Sequence, residues 1–145
     1  MPHARVIGTT EEALAAAEVS LGRALPPTFR NWLLRNNGTG IEDVVIFPVL
    51  DERDKRKTWD SITRQTEVWQ SYCSDVFPEE PGRFQGLQPF AEFGTGDYYC
   101  FDYSAISNGE PQVVRWSHET GEASFRATSF TDFVARLVQG EFELD

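Results

Sequence analysis

Two cysteines in 145 residues, Cys73 and Cys100, are too few for a disulfide framework, and neither sits in a C-x-x-C pair. That scarcity predicts a reducing, cytoplasmic setting. Long apolar runs are missing as well. The start, M-P-H-A-R-V-I-G-T-T, has no apolar h-region, and no run approaches the roughly 18 residues of a membrane span. Neither a targeting segment nor a membrane partner is expected. Lysine is absent from residues 74–145, where thirteen acids face four bases (Arg83, Arg115, Arg126, Arg136), a net of −9. Residues 1–73 carry ten acids against nine bases, a net of −1, and the whole chain is formally −10. Such a field repels DNA and RNA, so direct nucleic-acid binding is not expected. It attracts a basic partner and speeds the encounter. Solubility is the plainer use of the same charge.

The motifs of familiar chemistries are lacking too. There is no G-x-S-x-G and no P-loop, and G-T-G-D beginning at Gly94 is too short for a dinucleotide fingerprint. His118-Glu119 lacks the second histidine of H-E-x-x-H, so a zincin ligand set is missing. Asp97 and Asp102, five residues apart, point to opposite faces of a regular strand, and a joint carboxylate pair needs a bulge. Cys100 has no basic neighbour in sequence to lower its pKa and reads as a small buried hydrophobe. These readings predict no enzyme, no cofactor and no metal site. Asp97 is expected to accept turn amides after a glycine, and His118 to tie a loop to the sheet.

What the chain does have is a stretch rich in aromatics at 90–104, F-A-E-F-G-T-G-D-Y-Y-C-F-D-Y-S. Gly94 and Gly96 suit a tight reversal, so strands at 87–93 and 97–103 form a central hairpin. Around it, Thr9-x-x-Glu12 offers a capping box for a helix of about 10–21, stopped at Gly22. Leu25-Pro26-Pro27 opens a second helix with Phe29, Trp32 and Leu33 as its apolar stripe, ended by Asn36-Asn37-Gly38. The run V-V-I-F-P-V-L at 44–50 reads as a strand and 51–58 as a charged loop. Trp59, Ile62, Thr66 and Trp69 predict a third helix, with its stripe in the core, to about Tyr72. An acidic, turn-rich loop fills 75–86. Further strands fall at 112–117 and 124–127, after a turn at Ser107-Asn108-Gly109. Ser129-x-x-Asp132 caps a last helix whose stripe is Phe130, Phe133, Val134, Leu137 and Val138, and Gly140 ends it before an acidic tail, 141–145. The order predicts one α+β domain over 1–145, core about 9–138: a largely antiparallel central sheet with N-terminal helices and one C-terminal helix packed against it.

Five pieces in this order resemble the SMI1/KNR4 family, or SUKH superfamily: E-x5-E-x2-L-G-x2-L-P-x2-F from Glu12 to Phe29; N-N-G from Asn36; P-F-A-x-F-G-T-G-D-Y-Y-C-F-D from Pro89 to Asp102; V-V-x-W-x-H-E from Val113 to Glu119; and S-F-x-x-F from Ser129 to Phe133. The resemblance spans about 9–138 and implies the same α+β fold. It marks Gly94, Gly96, Asp97, Asp102, His118 and Glu119 as structural motif positions, without established catalysis. It also implies a role, since many bacterial members resemble immunity proteins that neutralise secreted polymorphic toxins, often nucleases. The reading is therefore a protein-binding domain whose partner is a cognate toxin or another basic protein. The alternative is a cytosolic scaffold for an endogenous protein. Asp75, Glu79, Glu80, Glu92, Glu141 and Glu143 are the candidate partner-binding residues.

Overall fold

A computed structural model describes residues 6–142. Five strands form one open sheet in the order β1-β2-β3-β4-β5, every neighbouring pair antiparallel. They are β1 (Val45–Ile46), β2 (Leu87–Glu92), β3 (Tyr98–Ser107), β4 (Glu110–Trp116) and β5 (Ala123–Ala127). The helices are α1 (Glu11–Leu21), α2 (Pro27–Asn36), α3 (Lys55–Thr58), α4 (Ile62–Val76) and α5 (Phe130–Val138). This is the expected α+β layout, with the aromatic strand β3 in the middle of the sheet. No helix among the described residues is long and apolar enough to cross a membrane.

Alternation along β3 and β4 sends side chains into two cores. On one face Tyr99, Phe101 and Val113 pack with Leu14 of α1, Phe29 and Leu33 of α2, and Phe130 and Phe133 of α5. On the other, Cys100, Val114 and Trp116 pack with Trp69 of α4 and Phe84 of the following loop. The β2–β3 register shifts between Pro89 and Ala91. Phe90, at that shift, stacks on Phe101 with centroids 4.0 Å apart.

Several local expectations change. The cap of α1 is Thr10, which accepts the Ala13 amide at 3.1 Å; Thr9 instead donates to the Asp51 carboxylate at 2.8 Å. The apolar run 44–50 contributes a strand of two residues, because its remaining backbone groups find other partners. Phe47 N–H still bonds the Phe90 carbonyl of β2, but beyond it the Pro48 carbonyl accepts from Ile62, and both polar groups of Val49 are taken by the Asn37 side chain at 2.9 Å each. The presumed loop 51–58 is helical, a 3₁₀ turn (Glu52–Asp54) leading into α3, with Asp51 and Asp54 as caps. Trp59 lies outside the core, 58 % exposed, with Arg64 over its ring; α4 starts later, capped by Ser61. Ser129 caps α5 as its spacing predicts, but Val138 faces solvent.

Candidate functional site

The turns β2–β3 and β4–β5 share one end of the sheet, since Tyr98 pairs with Trp116. Asp97 links them. One carboxylate oxygen accepts the His118 amide at 3.0 Å and faces His118 Nδ1; the other accepts Nε and Nη2 of Arg115 at 3.0 and 2.8 Å. The amide it accepts thus belongs to the next hairpin and not to its own turn, which corrects the simple turn reading of Asp97. His118 does tie a loop to the sheet, and its carbonyl also accepts the Tyr72 hydroxyl at 2.6 Å. Gly94 and Gly96 both hold positive φ, and a Cβ on Gly96 would sit 3.1 Å from the His118 ring. Burial opposes the charged form of Asp97, yet the His118 amide and ring and the Arg115 guanidinium prevail and lower its pKa.

Asp102 takes separate partners, accepting from the Ser104 amide and hydroxyl at 3.0 and 2.6 Å, so the two carboxylates form no pair. Among the described residues no three His, Cys, Asp or Glu side chains gather as a metal ligand set. Burial pushes the Cys73 thiol up to about 11 and Cys100 well above its ordinary value. Both stay protonated at neutral pH.

The acidic candidates do not form one patch. Asp75, near the end of α4, and Glu79 and Glu80, in the loop after it, are all exposed. That loop packs on the β4–β5 turn. Arg83 donates to the Thr120 carbonyl at 3.2 Å, and a Cβ on Gly121 would lie 2.8 Å from the Phe84 ring. Glu119 and Glu122 flank Thr120-Gly121 and are exposed, as are Glu79 and Glu80 in the loop that Arg83 ties to this turn; these four exposed acids, on two segments in contact, make an acidic rim. Arg83, paired with Glu80 at 3.0 Å, is the basic residue where they meet. Glu122 was absent from the sequence-based candidates, and Glu119 was expected only as a motif position. The loop–turn contact that unites them joins segments far apart in the chain. Glu92 is half-buried at the end of β2, and Glu141 pairs with Arg136 at 3.3 Å beyond α5. Glu143 lies outside the described residues.

Next to this rim, between α4 and the 77–86 loop, runs a groove of about 500 Å³. Its apolar lining includes Trp69, Phe77, Phe84 and Leu87, and Arg23, Glu80 and Pro81 line it too.

The family model described as the SMI1 / KNR4 family (SUKH-1) matches residues 8–136. Among solved structures, a crystal structure of a protein from Pseudomonas syringae pv. tomato is similar in fold: TM-score 0.57, 19% identity, covering 92% of this chain and 86% of that one. No protein with a curated description matches the chain.

Proposed function

The chain belongs to the SMI1/KNR4 (SUKH-1) family, and from that premise we propose that it is a non-enzymatic immunity-type protein that neutralises a basic toxin domain by binding it. The family is consistent with such a role. The observation that carries the reading is the rim of Glu79, Glu80, Glu119 and Glu122, built where the 77–86 loop meets the β4–β5 turn. Inhibition by occlusion needs a complementary surface over the partner's active site. Carboxylates on a fixed loop imitate the phosphates that a basic nuclease cleft is shaped to hold, and buried anchors beside them supply the slow dissociation.

Charge at such a rim acts chiefly on the association rate. Glu79→Lys/Glu80→Lys is expected to slow association with the toxin domain that this chain neutralises by about tenfold at low salt, and to flatten its salt dependence. The melting temperature should hardly move, because an exposed pair such as Glu80–Arg83 is worth at most about 1 kcal/mol. Stopped-flow rates against ionic strength measure both. A salt-independent rate in the parent would leave the acidity serving solubility alone.

A further inference from the structure

A second groove, of about 630 Å³, is lined by α1, residues 50–53, Trp59 and the first turns of α4. Trp59 and Leu50, both in its lining, are 58 % and 45 % exposed. Along α1 the lining includes Ala13, Ala16 and Ala17, whose methyl groups leave the groove unfilled from that side. Large apolar side chains left in water along a concave surface mark an interaction site, and tryptophan is the commonest anchor of such sites. The Trp59 ring is also held in place, with the Arg64 guanidinium 4.7 Å over it, so less side-chain freedom is lost when a partner covers it.

The charges along the groove select the occupant. Both bases in the lining are taken, Arg53 by Asp51 and Arg64 by Asp60, each at 2.7 Å. Glu52 is paired with Lys55 at 2.8 Å. Glu12 of α1 and Glu67 of α4 also line the groove; both are exposed, and neither enters an ion pair among the described residues. The open charge is therefore negative, with one carboxylate on each flanking helix. An apolar trough between two such carboxylates is complementary to a helix whose apolar stripe is bordered by Lys or Arg. A second copy of this chain is excluded as the occupant by charge, since each copy is formally −10.

We propose that this groove docks a cationic amphipathic helix of a partner protein. The apolar stripe of that helix covers Trp59, Leu50 and the α1 alanines, and its cations face Glu12 and Glu67. The groove shares no residue with the rim of Glu79, Glu80, Glu119 and Glu122, so this surface goes beyond the toxin reading and does not depend on it.

The probe is a Leu/Lys peptide of about four helical turns with its leucines on one face. Its controls are a peptide of the same composition in scrambled order and a Leu/Glu peptide of the same pattern. Anisotropy of the labelled peptide gives its affinity for the full chain. The four indole N–H signals locate it, that of Trp59 being assigned by its loss in Trp59→Ala. The expected result is a Kd below about 100 μM at about 150 mM salt, with the Trp59 signal moving most, and controls weaker by about tenfold or more. Ala16→Gln and Trp59→Ala, both at exposed positions and neutral in charge, should each weaken binding about tenfold at an unchanged melting temperature. Should one of them fail to fold, the other decides. Glu12→Gln/Glu67→Gln should weaken binding severalfold and flatten its salt dependence. An unmoved Trp59 signal, equal binding of the scrambled or the acidic peptide, or full affinity in the folded variants would overturn the proposal.

Discussion

Phe101→Ala is expected to cost about 3–5 kcal/mol of stability, against a total of about 5–15 for a domain of this kind. The ring has no exposed surface. It stacks on Phe90 at 4.0 Å and meets Phe29 at 5.2 Å, so its removal opens a cavity where the sheet joins α2. Tyr99→Ala belongs to the same class, being 1 % exposed and set against Phe133 at 4.8 Å and Phe93 at 4.9 Å. For a chain of this length each loss corresponds to a fall in melting temperature of about 8–15 °C, read by calorimetry. Phe125→Ala is the control: the ring is 50 % exposed on the edge strand β5 and should lose far less. If Phe101→Ala and Tyr99→Ala melted like the parent, these rings would have to belong to a binding face and not to the core.

Asp97→Ala should cost about 2–4 kcal/mol, because a nearly buried carboxylate that receives charge-assisted bonds from Arg115 and His118 disappears from the junction of two hairpins. The pH dependence separates this from a packing effect. The pKa of Asp97 is lowered in the folded chain from an ordinary value of 3.8. Its contribution is therefore complete above about pH 4 and lost as pH falls through the folded value, where the unfolded chain binds more protons. Asp51 behaves alike: the Arg53 side chain first, then the Arg53 amide and Thr9, hold it at about 2 despite burial. The parent should lose stability steadily below about pH 4, and Asp97→Ala should lose less over the same interval. Asp97→Asn, which keeps the shape, should show the same shallower slope. Acid titrations of denaturant midpoints give the slopes, and parallel curves for parent and variants would remove Asp97 from this role.

The sheet and most helices were legible because their signals are local. Alternation around Tyr99 and Phe101, paired glycines at 94 and 96, and Ser129 three residues before Asp132 each act within a few residues. What stayed hidden depends on partners far along the chain. Nothing near residues 44–50 says that the Asn37 side chain will occupy Val49, so a strand-like run gave only Val45 and Ile46 to the sheet. Trp59 fits a helical stripe by spacing, yet Ser61 caps the helix after it and leaves the ring outside. Asp97 stands out in the sequence by its place after Gly96, but Arg115 lies 18 positions away and only the strand register brings them together. The acidic rim and the groove needed the same information. Both arise where the 77–86 loop folds back, and spacing does not encode that contact.

Neutralisation of a toxin is tested most directly by co-expression of this chain with a basic toxin domain, the first choice being one encoded in a neighbouring reading frame of the source genome. The expected result is restored growth and an equimolar complex on gel filtration, with protection weakened by Glu79→Lys/Glu80→Lys at unchanged melting temperature. Undiminished toxicity with both proteins folded and present, and no complex between them, would contradict the account.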